Sequence, residues 1–406
     1  MQFVFLNPVG SIGGAERVLI DVVSAIIHSM HGHAVTVILL ADGPLVAALQ
    51  AVGANVIVEP LPRELSGLGD SQLIGGHRLR KRLALVGHLA FGSLSFISFI
   101  YRLRRVILQQ KPDVLYSNGL KTHLLSAIIK PRRAKLVWHL HDFYGARPAV
   151  AKVLGMAARR VDRGIAISQA IETDMNRLAP GLSIAVIYNS VDNVKFTPPG
   201  PGVNGAELDR LAGLGIAPDS VLRVGLIATY AYWKGHRTFI DAFAKARIRV
   251  SAPMRGYLIG GPIYSTEGSQ FTADELKTHI RELGLEIVVG LIPFQSDTSS
   301  IYQMLDVVVH ASTRPEPFGL TIVEAMSCGR AVIVSAAGGA KELFDEGVDG
   351  LGHTPGDSSQ LAEAMVRLGN DADLRQRLAT TARQTSCQRF SGERFRQELA
   401  CLIDRL

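Results

Sequence analysis

Two α/β units in tandem, each built on a parallel sheet, are what this sequence predicts, and three observations lead there. The chain has 406 residues, beyond the length at which one hydrophobic core keeps growing, so two domains of about 200 residues each are expected. Short β-branched runs alternate with helical patterns along its length, the mark of repeated βαβ units. Near the middle, Asn193 to Ser220 breaks both periodicities with Pro198, Pro199, Gly200, Pro201 and Gly202, and marks the linker.

In chain order, the strands expected in the first half are Phe3–Leu6, Val35–Leu40, Asn55–Glu59, Asp113–Ser117, Lys135–His139, Gly164–Ile167 and Ile184–Tyr188. Those in the second half are Leu222–Ile227, Gly256–Ile259, Glu286–Val289, Asp306–His310, Ala331–Ser335 and Gly350–His353. Each is apolar and bounded by turn residues. Ser391 to Leu406 reads as a closing amphipathic helix.

The composition, 47% hydrophobic with 40 glycines and 18 prolines, is that of a globular, loop-punctuated protein and excludes disorder. Three cysteines, Cys328, Cys387 and Cys401, are odd in number and not in metal-ligand spacing, which fits a reducing compartment. Met1-Gln-Phe-Val-Phe-Leu-Asn7 has neither a basic start nor a long apolar run, so it reads as a first strand and not as a signal peptide.

Charge is uneven. Residues 1–195 carry 22 Lys+Arg against 12 Asp+Glu, a net of +10, whereas 196–406 carry 21 against 24, a net of −3. Within 77–135 there are 13 basic residues and one acid, Asp113. Such a patch favours an anionic surface, and the absence of an RNA-binding aromatic motif, zinc finger or basic zipper speaks against nucleic acid. Leu83 to Tyr101 has no charged side chain over 19 positions, between Arg78-Leu-Arg-Lys-Arg82 and Arg102-Leu-Arg-Arg105. Its length would just span a bilayer, but it lies between strands of one sheet and has basic clusters on both flanks. A helix lying on a membrane surface through 77–105 is the expectation, and an ordinary buried helix of the domain is the alternative.

The most informative motif is Arg314-Pro-Glu316-Pro-Phe318-Gly319-Leu320-Thr-Ile-Val-Glu324-Ala-Met-Ser-Cys328. It follows an apolar strand and opens a helix, with Gly319 allowing close backbone approach and the helix start favouring phosphate. The flanking carboxylates of Glu316 and Glu324 can accept hydrogen bonds from hydroxyls. A site for phosphate and several hydroxyls suits a sugar nucleotide.

Here the chain resembles the retaining glycosyltransferases of family 4, the group 1 class with the GT-B fold, whose mark is Glu, seven residues, Glu. The resemblance implies two Rossmann-like domains with parallel sheets facing across a cleft. The boundaries would be 1–195 for the acceptor domain, 196–390 for the nucleotide-sugar domain and 391–406 for a helix crossing back. Glu324 would hold ribose hydroxyls, and Glu316 with the amides of Phe318 and Gly319 would hold the sugar. Ser11-Ile-Gly13-Gly14-Ala15-Glu16 resembles the family's Gly-Gly-Ala-Glu loop beside donor phosphates and acceptor.

Lys234, in Trp233-Lys234-Gly235-His236, can neutralise diphosphate charge as the sugar–phosphate bond breaks. Family members usually pair it with an arginine five residues earlier, where this chain has Thr229; Arg237 or Arg314 could substitute. His141 and Asp142 fall at the carboxyl end of a strand, where open sheets bind ligands, and Asn118 ends the preceding strand. Alternation places His139 and His141 on one face. The family's histidine here lies near the transferred sugar. Gly260-Gly261-Pro262 and Ala337-Gly338-Gly339 suit backbone approach to the nucleotide or are plain turns. Asn189 to Asp192 matches the family's hinge segment, with Ser190 in place of glycine.

The expected activity is transfer from a UDP- or GDP-linked sugar to a glycan or lipid-linked acceptor, with retained configuration, and catalytic roles for Glu316, Lys234 and His141. No Asp-x-Asp motif ends a strand, so no cofactor and no obligatory metal are expected. The expected location is the cytoplasm, peripheral on the inner face of the cell membrane. The alternatives are a non-catalytic sugar-nucleotide-binding subunit and another GT-B enzyme, such as a sugar-nucleotide epimerase or a glycan phosphorylase.

Overall fold

Parallel pairing needs crossover helices, and this chain supplies one between nearly every pair of strands. The computed structural model describes residues 1–30, 32–62, 80–262 and 269–406, apart from the side chains of 80–94 and 149. It divides into two compact units, Met1–Tyr188 with Arg396–Leu406, and Asn189–Phe395.

The first unit holds β1 (Gln2–Asn7), β2 (Ala34–Leu39), β3 (Asn55–Val58), β4 (Val114–Asn118), β5 (Lys135–Leu140), β6 (Arg163–Ala166) and β7 (Ile184–Val186). They form one sheet in the order β3-β2-β1-β4-β5-β6-β7, with every pairing parallel. Its helices are α1 (Gly14–Ser29), α2 (Leu45–Ala51), α3 (Arg80–Gln109), α4 (Leu120–Ile129), α5 (Pro148–Ala157) and α6 (Gln169–Leu178). Helices cover such a sheet on both faces, so its strands are continuously apolar: Phe3, Val4, Phe5 and Leu6 are all fully buried. The order reverses between β1 and β4, and Asn7 and Asn118 end those two strands.

The second unit holds β8 (Leu222–Ile227), β9 (Met254–Ile259), β10 (Val289–Ile292), β11 (Val307–His310), β12 (Ala331–Ser335) and β13 (Leu351–His353). Their order is β10-β9-β8-β11-β12-β13, again wholly parallel. Its helices are α7 (Ala206–Leu211), α8 (His236–Arg247), α9 (Ala273–Glu282), α10 (Ser299–Met304), α11 (Leu320–Ser327), α12 (Ser358–Asn370) and α13 (Ala372–Arg389). Phe239, Phe243, Leu258, Ile333 and Leu361 belong to its continuous core. A last helix, α14 (Gly392–Ile403), buries Phe395, Leu399, Leu402 and Ile403 at helical spacing.

Two expectations are corrected. The strand expected at Glu286–Val289 begins only at Val289, because Ile287 is in a turn and largely exposed. The expected linker is not structureless: it contains α7, whose Asp209 is fully buried against Arg223 and accepts a hydrogen bond from Tyr257 Oη at 2.7 Å. Satisfying that carboxylate fixes the helix where proline and glycine content argued for a loop.

In α3, Phe99, Leu103 and Ile107 are buried at four-residue intervals, while Ile97, Tyr101 and Leu108 are exposed. Residues 77–79 of the expected membrane-facing segment lie outside the described residues. Among the described residues no helix is long and apolar enough to cross a membrane.

Candidate active site

The second unit gathers its chemistry at the carboxyl ends of β8 and β11, the adjacent central strands, where open parallel sheets present loops and helix starts. Lys234 Nζ lies 3.0 Å from Glu316 Oε1 and 2.8 Å from Oε2. Its ammonium also sits 4.0 Å from the Trp233 ring centroid, within cation–π range. Glu316 Oε2 further accepts from Ser312 Oγ at 2.8 Å and faces His310 Nε2 at 3.1 Å. Burial alone would raise the Glu316 carboxyl, but the charge of Lys234 and the His310 bond outweigh it and hold it well below the usual carboxylate range. The carboxylate is therefore ionised, with Oε2 surrounded and Oε1 engaged, among the described residues, by Lys234 alone.

Close backbone contacts fix this pair. Gly235 has φ +77° and follows Lys234 directly; a Cβ there would stand 1.8 Å from the Ala311 carbonyl oxygen. Thr313 N–H donates to the Trp233 carbonyl at 2.7 Å, which ties the two loops together. On the other side Gly338, φ +66°, lies so near Glu316 that a Cβ would meet its carbonyl oxygen at 2.5 Å, and Gly339 N–H donates to that oxygen at 2.7 Å. Gly338 and Gly339 thus seat Glu316, a use of glycine that the turn reading did not contain.

Gly319 is the N-cap of α11 in left-handed backbone, no side chain among the described residues caps that helix, and Leu320 is its first residue. Its start accordingly favours an anion. Glu324 lies on the buried face of α11 and accepts a hydrogen bond from Tyr302 Oη at 2.7 Å. The Phe318 side chain is buried against Phe390.

The remaining positions are less central. The Thr229 hydroxyl is buried without a partner among the described residues. Arg237 lies over the Phe271 ring at 5.0 Å, and Arg314 is exposed. Neither arginine has a described bond to Lys234 or Glu316. The Gly260 amide donates to the Ile292 carbonyl at 3.0 Å, which makes it part of the β9 terminus.

In the first unit the polar groups cluster where the strand order reverses. His141 Nε2 is 2.6 Å from Asn118 Oδ1, Asn118 Nδ2 donates to Asn7 Oδ1 at 2.8 Å, and Asn7 Nδ2 donates to the Val9 carbonyl at 2.7 Å. The His139 and His141 rings lie 4.1 Å apart. Burial, then the neighbouring histidines, holds His139 well below the usual range, and burial brings His141 down to about 3. Both are neutral at pH 7.

Gly13 caps α1, and its amide donates to Glu16 Oε2 at 3.0 Å, with Gly14 opening the helix. Burial raises Glu16, while bonds from the Gly13 backbone and the Asn7 side chain oppose the rise. Asp142 is exposed, and its Oδ1 accepts from Phe143 N–H at 2.8 Å. Asn118, expected to line the site, is buried to 1% exposure and works inside the unit.

Four residues escaped the sequence reading: Asn7, Tyr302, His310 and Ser312. Asn7 and His310 end central parallel strands, and that position was the available signal.

The model of the glycosyl transferases group 1 matches residues 218–385, and that of glycosyltransferase family 4 matches residues 12–194. Between them they take in most of the chain. The chain is similar to alpha-maltose-1-phosphate synthase of Mycobacterium tuberculosis, 29% identical over 322 residues, covering 76% of this chain and 73% of that one. It is also similar to N-acetyl-alpha-D-glucosaminyl L-malate synthase of Bacillus anthracis, 22% identical over 304 residues, 72% and 75% of the two chains. Among solved structures, HepE of Anabaena in complex with UDP and glucose matches all of both chains at 28% identity, with a TM-score of 0.81. Two wholly parallel sheets, the paired glutamates with their lysine and these matches agree: the chain belongs to the group 1 glycosyltransferases of family 4.

Proposed function

We propose that this protein is a retaining hexosyltransferase that moves a sugar from a UDP-linked donor to a glycan or lipid-linked acceptor in polysaccharide or glycoconjugate synthesis. The observation that carries the reading is Lys234 held against the buried, ionised Glu316 beside the uncapped start of α11. The likeness to HepE, crystallised with UDP and with UDP-glucose, supports the choice of nucleotide.

In this reading the donor binds the second unit and the acceptor the first. Glu324, oriented by Tyr302, accepts hydrogen bonds from the ribose hydroxyls. Glu316 Oε1 accepts from a sugar hydroxyl, and the α11 start receives phosphate. Lys234 uses two of its three N–H donors on Glu316 and keeps the third for the diphosphate. As the bond from the anomeric carbon to the phosphate oxygen breaks, that oxygen gains charge, which the ammonium stabilises. The acceptor oxygen bonds to the anomeric carbon on the face the phosphate leaves, and its proton passes to the departing phosphate. Charge stabilisation then needs no obligatory metal.

For location we propose a peripheral position on the inner, cytoplasmic face of the membrane. The exposed Ile97, Tyr101 and Leu108 of α3, interleaved with exposed Arg104 and Arg105, support it.

A panel of nucleotide sugars tests the function in two steps. Specific binding raises the melting temperature by mass action, and released nucleoside diphosphate reports transfer. Stabilisation by UDP-sugars with turnover in an acceptor extract is expected. Binding without any turnover would replace the enzyme by a binding subunit.

A further inference from the structure

We infer that Asn118 and Asn7 are positioning residues that hold His141 as its Nε2–H tautomer, so that the ring presents Nδ1 as an acceptor for a substrate hydroxyl. Neither asparagine reaches substrate itself, since they are 1% and 0% exposed. They act through the ring.

The direction of every proton in this chain follows from its far end. The Val9 carbonyl can only accept, and it faces the Asn7 side-chain amide at 2.7 Å. The Glu16 side chain takes a further bond from Asn7. Asn7 must therefore turn Nδ2 to both, which leaves Oδ1 as its acceptor. That oxygen receives Asn118 Nδ2 at 2.8 Å, so Asn118 in turn offers Oδ1 to the imidazole at 2.6 Å. An oxygen at that distance requires His141 Nε2 to carry a proton. Flipping either amide would set two acceptors or two donors face to face, which buried groups do not tolerate.

A neutral imidazole has one N–H, so Nδ1 carries the lone pair. Burial keeps the ring neutral, with its pKa brought down to about 3. Nδ1 has no partner among the described residues, and His141 is partly exposed. A bare nitrogen accepts from an O–H and repels phosphate oxygens. In the proposed reaction, on which the substrate half of this inference rests, His141 therefore reads a hydroxyl and not a phosphate. The Gly13–Glu16 loop gains a purpose as well: Glu16, bonded to the amide of Gly13, anchors the remote end of the relay.

The test reads the tautomer directly. In histidine-labelled protein at pH 7, two-bond nitrogen–proton NMR correlations distinguish protonated from bare ring nitrogens, with His141 assigned by the signal missing from His141→Gln. The parent should show Nε2 protonated and Nδ1 bare. Folded Asn118→Leu should show a mixture or the opposite tautomer; Asn118→Ala serves if the leucine variant does not fold. A parent ring protonated on Nδ1, or a folded Asn118 variant with the parental tautomer, would overturn the positioning role.

The second arm measures transfer. The asparagine side chain reaches the place of Nδ1, whereas glutamine reaches the place of Nε2 and can satisfy only Asn118. His141→Gln should lose roughly tenfold or more in kcat/KM, and His141→Asn should recover part of it. Equal loss in the two variants would sink the hydroxyl contact. If the tautomer is as stated but the parent transfers no sugar, the proposed function fails and the relay stands.

Discussion

Lys234 Nζ spans both carboxylate oxygens of Glu316, at 3.0 and 2.8 Å, and the pair is mostly buried. A buried pair of this kind is informative when one member is removed, because the other is left as an uncompensated charge. Lys234→Ala should therefore affect two readouts. Turnover should fall by about two orders of magnitude, the scale of losing a stabiliser of developing charge. Stability should fall by about 3–5 kcal/mol, the usual result of breaking a buried pair. Glu316→Gln should mainly reduce kcat, through a misplaced lysine and a lost sugar contact. Unchanged kinetics in a folded Lys234→Ala protein would remove the leaving-group role.

Tyr302 Oη donates to Glu324 at 2.7 Å and is itself fully buried. Tyr302→Phe should weaken nucleoside-diphosphate binding about tenfold without touching the nucleotide, because a hydrogen bond to a charged group is worth about 1.5–3 kcal/mol. Glu324→Gln should weaken it at least as much. Calorimetric titration with UDP decides, and parental affinity in both variants would move the ribose elsewhere.

Acid should destabilise the first unit through its histidines. Burial first, then neighbouring His141, brings His123 down to about 3; burial alone does so for His141, and His139 is held well below the usual range. Each folded value lies below the unfolded value of about 6.5, so between about 3 and 6.5 the unfolded chain binds more protons. Stability thus falls as pH falls through that window, by about 1.4 kcal/mol per pH unit for each neutral histidine. Denaturant titrations from pH 7.5 to 4.5 measure the slope. A midpoint independent of pH would mean that the rings protonate in place.

Arg102 bonds Glu59 Oε1 at 2.9 Å, so replacing it would mix an ion-pair effect into any membrane test. Among the described residues Arg104 and Arg105 have no such partner. Changing both to glutamine should release the protein from anionic vesicles at low salt and leave the melting temperature in place, since each basic residue near such a surface contributes about 1 kcal/mol. A parent that ignores anionic vesicles in sedimentation would make this face a solvated one.

Transfer should persist in excess chelator if, as proposed, Lys234 and the α11 start supply the charge stabilisation. Loss of turnover with EDTA and its recovery with a divalent ion would show that the leaving diphosphate needs a metal.

The strands were legible because β-branched runs between turn residues report a local preference, and each expected strand has a counterpart among those described. The spacing of Glu316 and Glu324 was legible for the same reason. Their partners were not. Tyr302 is 22 residues from Glu324 and Lys234 is 82 from Glu316, so those bonds exist only once the sheet has formed. The asparagine relay joins Asn7 to Asn118 across the reversal in strand order, and no local pattern encodes it. Helix α7 was hidden because Asp209 and Arg223, which hold it, are separated by the turn that resembled a linker.

The clearances at Gly235 and Gly338 have a consequence for anyone wishing to retune the donor. With 1.8 Å to the Ala311 oxygen on one side and 2.5 Å to the Glu316 oxygen on the other, a methyl group has nowhere to go at either position. Both glycines also hold left-handed backbone that other residues adopt at a cost. A combinatorial library that randomises the loops wholesale will therefore fill with misfolded members. One that freezes these two positions and varies the exposed Arg314 and Pro315 can explore new sugars while the lysine and its carboxylate stay in register.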